Sequence, residues 1–170
     1  MADGVRADGG RDEGVRADAA AALADRLSFQ LYAASRALTS AYRRELQHFG
    51  LTYPQYLALR ALGAGDGQPV SDLCAALELD SGTVSPLLSR LAAEGYIVRE
   101  RVGADGRQVR VFCTDSGREL QARLEGVPAE VARSLALTEA DFGQLCAMLG
   151  SLRDTARRAL SDAPDPAARG

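Results

Sequence analysis

The fold is decided by residues 70–113, which read VSDLCAALELDSGTVSPLLSRLAAEGYIVRERVGADGRQVRVFC. Hydrophobic residues in this stretch first recur every three or four positions, a spacing that predicts amphipathic helices. The apolar face of the first predicted helix comprises Val70, Leu73, Ala76 and Leu77, and that of the second comprises Val84, Leu87, Leu88 and Leu91. Only residues 78–80 separate the two helices, and so short a connection is typical of a helix-turn-helix.

The pattern changes after Gly95, which ends the second predicted helix. Apolar residues then roughly alternate with polar ones in two segments separated by the loop VGADG, as expected for the strands of a hairpin. The apolar positions are Ile97, Val98, Val102, Val109, Val111 and Cys113. A hairpin that directly follows a helix-turn-helix indicates a winged helix-turn-helix, and we expect duplex DNA to be its partner.

Pro86 leaves two starting points for the second helix. Ser85 followed by Pro86 resembles an N-cap and a first helical residue, but that start would lengthen the turn to about twice the usual three to four residues. We therefore predict a start near Asp80 or Ser81, with Pro86 in the second turn at the cost of one backbone hydrogen bond. The candidate contacts to base edges or phosphates at this end of the helix are Ser81, Gly82, Thr83 and Ser85.

The distribution of charge permits the same partner. Residues 81–113 contain five arginines and three carboxylates, so 5 − 3 gives +2, whereas the whole chain carries −3. Arg90 is a candidate phosphate contact. Arg107, held by Asp105 at the predicted tip of the wing, is a candidate for insertion into a narrow minor groove. A solvated surface arginine is the alternative interpretation of Arg107.

Composition argues against several classes of protein. The chain has 170 residues and is 46% hydrophobic, which fits one domain. It contains no apolar run near the ~20 residues of a membrane span and no signal segment, so we expect a cytoplasmic protein with no membrane partner. Cys74, Cys113 and Cys146 form neither a disulfide framework nor a zinc pattern, and we expect each to be a buried small hydrophobe. No enzyme activity, metal or cofactor is expected.

Helical patterns flank the predicted DNA-binding unit. We divide the chain into a disordered tail (1–22), an N-terminal dimerisation helix (23–50), the winged helix-turn-helix domain (51–113), C-terminal dimerisation helices (114–160) and a flexible tail (161–170). The DNA-binding domain begins with a helix over residues 54–62, followed by a glycine-containing loop. The predicted fold class is mainly α with a small β wing, which is an α+β arrangement.

The last predicted helix carries a seam of apolar residues spaced 3, 4, 3 and 4 apart: Phe142, Leu145, Leu149, Leu152 and Ala156. Seams of this spacing pair with other helices. We therefore expect the N- and C-terminal helices to form a dimerisation layer. A two-fold homodimer would place two recognition helices about one DNA turn apart on a pseudo-palindromic operator.

Four stretches resemble the MarR family of winged-helix transcriptional regulators, and within it the branch that senses organic hydroperoxides. They are LSFQLYAASR (27–36), LTYPQYLALRAL (51–62), LDSGTVSPLLSRL (79–91) and ADGRQVRV (104–111). The resemblance extends over about residues 27–160. It implies a homodimeric regulator, acting as a repressor, that a peroxide or small-molecule inducer releases from its operator.

The resemblance also implies a sensor pocket, in which a cysteine near the start of the first helix is hydrogen-bonded by two tyrosines of the partner subunit. The tyrosines match Tyr42 and Tyr53, whereas the cysteine position matches Ser28. A serine hydroxyl cannot be oxidised to a sulfenic acid, although it can keep the hydrogen bonds.

Three explanations of Ser28 are open. The protein senses another inducer, such as an aromatic or phenolic acid; the serine is an engineered replacement of cysteine; or oxidation has moved to Cys74 or Cys146. The third ranks last, because neither cysteine has a tyrosine, histidine or basic residue in its own helical turn to favour a thiolate.

A different class of function is also compatible with the sequence. The chain could be a protein-interaction module that kept the winged-helix scaffold without specific DNA binding, because a fold does not fix a function. The polar start of the predicted recognition helix and Arg107 argue against this alternative.

Overall fold

The computed structural model describes residue 23 and residues 26–102 and 108–161. The predicted tails lie outside the described residues, except for Ser161, which ends the last helix. The predicted wing tip with Asp105 and Arg107 also lies outside them.

The described residues form a mainly helical fold with one small antiparallel sheet, which confirms the predicted fold class. In chain order the elements are α1 (Leu27–Leu46), a 3-10 turn (Gln47–Phe49), α2 (Tyr53–Gly63), β1 (Gln68–Pro69), α3 (Val70–Leu77), α4 (Ser81–Ala93), β2 (Ile97–Val102), β3 (Gln108–Cys113), α5 (Asp115–Arg123), α6 (Val127–Ser134) and α7 (Glu139–Ser161). The strand order is β1-β3-β2. No helix in the described part of the chain is long and apolar enough to cross a membrane.

The helix-turn-helix consists of α3 and α4, and its predicted boundaries are confirmed. Asp80 is the N-cap of α4 and Pro86 lies inside this helix. The predicted inner face of α4 is buried: Val84, Leu87, Leu88 and Leu91. On α3 the prediction that Ala76 belongs to the apolar inner face is wrong, because Ala76 is exposed. This short helix buries only Leu73 in the core.

A third strand was not predicted. The expected loop before the helix-turn-helix contains β1, in which Gln68 pairs with Val111 and Pro69 with Arg110 of β3. Proline lacks a backbone donor but is tolerated on an edge strand. A strand of two residues is too short to give an alternating pattern, which is why the sequence indicated only a loop.

Glycine is required where β1 meets β3. Gly67 has a φ of 72°, in the left-handed region, and a Cβ at this position would lie 2.7 Å from Cε1 of Phe112. The absence of a side chain lets the backbone of the loop approach the aromatic ring. This close contact fixes the third strand against the base of the wing.

The start of α5 is fixed to the other end of the hairpin. Thr114 caps this helix, and its backbone N–H donates to the carbonyl of Tyr96 at 3.1 Å while its hydroxyl donates to that of Gly95 at 2.7 Å. A Cβ on Gly117 would lie 2.0 Å from the Tyr96 carbonyl oxygen, so only glycine fits. The start of α5 is thereby fixed to the base of the hairpin.

The two long terminal helices expose most of their apolar residues in the single chain. Helix α1 has 20 residues and is shorter than the predicted span of residues 23–50, because Arg26 is extended (φ −90°, ψ 114°) just before its first turn and residues 47–49 form a 3-10 turn. Helix α7 has 23 residues and none is buried. Its start carries a reciprocal cap, since the Thr138 hydroxyl donates to Asp141 and accepts from the Asp141 backbone N–H.

The cysteines differ in exposure. Cys113 is buried as expected and Cys74 is half-buried, but Cys146 is exposed in the single chain, so the expectation of burial is wrong for it. Cys146 lies on α7, which has no buried residue in this chain.

Candidate nucleic-acid interface

The first turn of α4, the recognition helix, is organised by the carboxylate of Asp80. One carboxylate oxygen accepts the backbone N–H of Thr83 at 2.9 Å, and the other accepts its hydroxyl at 2.8 Å. These hydrogen bonds hold the pKa of Asp80 below its ordinary value, so the carboxylate is ionised at neutral pH. Because the Thr83 hydroxyl already donates to Asp80, it remains available to DNA as an acceptor.

Gly82 is explained by the same cap. A Cβ at Gly82 would lie 2.9 Å from Oδ1 of Asp80, closer than carbon and oxygen normally approach. Glycine therefore lets the carboxylate close over the helix start and leaves the backbone accessible.

The described candidate DNA contacts lie on or beside the outer surface of α4. Ser81, Gly82, Thr83 and Arg90 are exposed and Ser85 is half-buried, whereas the opposite face packs into the core. Arg90 lies in the last turn, ~13 Å along the axis from Ser81 at ~1.5 Å per residue. The candidates thus span the length of the helix rather than one end.

The wing is described only at its base. Strands β2 and β3 pair from Ile97 opposite Cys113 out to Val102 opposite Gln108. Asp105 and Arg107 lie between them, outside the described residues, so their roles stay predictions. Arg99 on β2 was not among the sequence candidates, yet its guanidinium donates to the Ser89 hydroxyl of α4 at 3.2 Å.

The two tyrosines of the expected sensor pocket lie together and are joined by a third. The ring centroids of Tyr42 and Tyr53 are 4.7 Å apart, and Tyr56 lies 5.5 Å from Tyr42 and 6.2 Å from Tyr53. Tyr56 follows Tyr53 by three positions on α2, a helical spacing that could have identified it from the sequence.

Burial moves the ionisation of these phenols to still higher pH. It raises the pKa of Tyr42 to about 12, with neighbouring tyrosines adding to the effect, and it also raises the pKa values of Tyr53 and Tyr56. At neutral pH each hydroxyl therefore keeps its proton and can donate a hydrogen bond. The cluster presents donors rather than negative charges.

Ser28 is not part of this cluster within one chain. It lies exposed in the first turn of α1, 14 positions before Tyr42 on the same helix, which corresponds to ~21 Å along the axis. A contact between Ser28 and a tyrosine cluster therefore needs a second chain. Cys146 of α7 makes a small electrostatic contribution to the raised pKa of Tyr42, a relation that inspection of its own helical turn missed.

An ion-pair cluster joins the helix-turn-helix to α7. Glu78, in the turn before the recognition helix, has a left-handed backbone with a φ of 56°. Its carboxylate lies 2.8 Å from a guanidinium nitrogen of Arg157 and 3.8 Å from one of Arg153. These partners are more than 70 positions apart in sequence, so no local pattern could have predicted the contact.

Comparison with known proteins identifies the class to which this arrangement belongs. A sequence model of the MarR family matches residues 49–108. The chain is 42% identical to the HTH-type transcriptional regulator TtmR of Methylorubrum extorquens over 78% of this chain and 68% of the relative. It is 35% identical to the organic hydroperoxide resistance transcriptional regulator of Bacillus subtilis, over 78% of this chain and 90% of the relative.

Solved structures agree with the sequence relatives. Reduced AbfR bound to DNA matches with a TM-score of 0.68 and 30% identity, covering 88% of this chain and 99% of that one. The MepR–DNA complex of S. aureus matches with a TM-score of 0.68 and 26% identity, covering 76% and 97%. The chain therefore belongs to the MarR family of winged-helix transcriptional regulators.

Proposed function

We propose that this protein is a homodimeric repressor that binds a pseudo-palindromic duplex DNA operator and is released by a chemical signal. The observation that carries the proposal is the recognition helix: its start is fixed by Asp80, its inner face is buried, and its outer face carries short polar side chains and Arg90. This surface suits the major groove, which admits one helix. The related AbfR and MepR were solved bound to DNA.

The dimer is proposed from the terminal helices. The seam residues Phe142, Leu145, Leu149 and Leu152 are between 40% and 52% exposed in the single chain. Contiguous exposed apolar surface of this kind usually marks an interface. A second copy of α7 offers a seam of the same spacing, and a two-fold arrangement repeats the DNA-binding unit.

Release requires that the dimer layer and the DNA-binding unit be coupled. The contacts of Glu78 with Arg153 and Arg157 connect α7 to the turn that precedes the recognition helix. A signal that shifts α7 would therefore change the position of α4. A repressor of this kind exists in a DNA-competent and an incompetent spacing of its two recognition helices, and the signal favours the second.

Two classes of signal fit the tyrosine cluster. The relative in B. subtilis is named for organic hydroperoxide resistance, which supports a pocket of the peroxide-sensing branch in which Ser28 stands at the position of the reactive cysteine. A small aromatic acid is the second candidate. Three close tyrosine rings with protonated hydroxyls can stack on an aromatic ring and donate hydrogen bonds to a carboxylate.

The test is a mobility-shift titration on the DNA upstream of the protein's own gene, with and without an organic hydroperoxide, for the natural chain and Ser28→Cys. We expect both to bind and only the cysteine variant to be released on oxidation. Ser28→Ala is the matched control, since it keeps a small side chain without a thiol. Failure of Ser28→Cys to respond would exclude an intact peroxide pocket, and failure of the natural chain to bind would favour the protein-interaction alternative.

A further inference from the structure

The pairing register of the wing places two arginines on the face of the hairpin that meets the core. Side chains at every second position of a strand share a face. Ile97, Arg99 and Arg101 therefore lie on one face of β2, opposite Cys113, Val111 and Val109 of β3 respectively. Ile97, Val111 and Cys113 are buried, so this is the face directed toward the helices. The hairpin continues past the end of the core, and there arginine replaces the apolar side chain.

Arg99 is held in place by the recognition helix. Its guanidinium donates to the Ser89 hydroxyl at 3.2 Å, and that hydroxyl in turn donates to the backbone carbonyl of Ser85 at 2.9 Å. Ser89 thus has its proton directed into its own helix and its oxygen lone pair directed at Arg99. The guanidinium is exposed where α4 meets β2, and it carries further N–H donors that can bind a phosphate.

In the part of the chain that the structure describes, no carboxylate pairs with the arginines at this junction. Among the described residues, no ion pair involves Arg90, Arg99 or Arg101. The nearest carboxylate along β2, Glu100, lies on the opposite face of the hairpin, across from Arg110. By contrast, Arg118 and Arg133 on the C-terminal helices pair with carboxylates one turn away.

We propose that Arg99, positioned by Ser89, and Arg101 form a phosphate-binding site for the DNA backbone at the junction of the recognition helix and the wing. The inference rests on the proposed DNA binding and adds contacts that neither the wing tip nor the polar start of α4 supplies. A guanidinium binds a phosphate through two parallel N–H groups, and these contacts carry no base information. The site therefore sets affinity and register, not sequence preference.

The experiment compares Arg99→Gln with the natural chain by fluorescence anisotropy on operator and on scrambled duplex across a range of salt concentrations. Each neutralised phosphate contributes ~0.9 to the log-log slope, so two protomers lose ~1.8, which corresponds to ~30-fold weaker binding at about 0.15 M salt. We expect the same factor on both DNAs. Arg133→Gln, which removes the same charge from α6, is the matched control and should change neither affinity nor slope.

Two further variants distinguish the loss of the Arg99 charge from its misplacement and from a loss of stability. Ser89→Ala keeps the Arg99 charge but removes its acceptor, so we expect a weaker affinity with an unchanged salt slope. Arg101→Gln removes a charge whose side chain makes no ion pair in the described residues, and should reproduce the loss of slope with an unchanged melting temperature.

The failures are distinguishable. If the natural chain binds neither operator nor scrambled duplex, the proposed function itself fails. If it binds and both Arg99→Gln and Arg101→Gln keep its affinity and slope, the phosphate site is overturned while DNA binding stands. A loss confined to the operator would also overturn it, because that would assign base recognition to these arginines.

Discussion

Removing two leucines from the seam of α7 should dissociate the dimer. Leu149 is 48% exposed and Leu152 is 40% exposed in the single chain, so together they leave almost the equivalent of one leucine uncovered. At ~2 kcal/mol for a fully buried leucine, covering them contributes ~1.8 kcal/mol per protomer and ~3.5 kcal/mol per dimer. At ~1.4 kcal/mol per factor of ten, the double variant Leu149→Ala/Leu152→Ala raises the dimer dissociation constant by about 300-fold.

Sedimentation equilibrium over a range of concentrations measures this constant. The control is Gln144→Ala/Ser151→Ala, which changes two exposed α7 residues that lie off the seam. We expect the control to behave as the natural chain does. The reasoning is refuted if the natural chain is monomeric at micromolar concentration, or if the leucine variant dissociates no more readily than the control.

Three further predictions concern stability and coupling. In urea denaturation, Gly117→Ala should lower the free energy of unfolding by about 2–3 kcal/mol, because the added Cβ clashes with the Tyr96 carbonyl. Gly143→Ala is the control: its Cβ would have nothing within 4 Å, so the substitution should raise the free energy of unfolding by about 0.5–1 kcal/mol. The pKa of Tyr42, about 12, exceeds its unfolded value of ~10, so the contribution of Tyr42 to the free energy of unfolding should be constant below about pH 10 and be lost between there and pH 12. Urea midpoints measured across this range should fall less for Tyr42→Phe than for the natural chain, and an equal fall would mean that Tyr42 is not its cause. Glu78→Gln should change the free energy of unfolding by less than about 1 kcal/mol, because the ion pairs of Glu78 are partly exposed. It should nevertheless accelerate amide hydrogen exchange in the turn between α3 and α4, and an unchanged exchange rate would mean that α7 does not restrain this turn.

The helix-turn-helix could be predicted from the sequence because its determinants are local. The apolar spacing of α4 and the three-residue turn gave its boundaries, and the rejection of a start at Pro86 agrees with the Asp80 cap that the structure contains. The capping pair of Thr138 and Asp141 is equally local, since both partners lie within one helical turn. In each case the interacting residues are four or fewer positions apart.

The parts that escaped prediction depend on residues distant in sequence. Strand β1 forms because its two residues pair with β3, more than 40 positions later in the chain. Neither Gln68 nor Pro69 predicts a strand by itself. The contact of Glu78 with Arg157 likewise depends on how α7 returns to the DNA-binding unit. Exposure of Cys146 follows from the unburied state of α7 in one chain, which its apolar seam alone did not reveal.

The central claim is that two copies of the recognition helix read a pseudo-palindromic duplex, and selection of bound sequences from a random duplex pool tests it most directly. We predict enrichment of an inverted repeat whose half-site centres lie about 10–10.5 base pairs, or a multiple of this, apart. The complex should contain two protein chains per duplex. Absence of any enriched sequence, or enrichment of a single unrepeated half-site by one chain, would contradict the account.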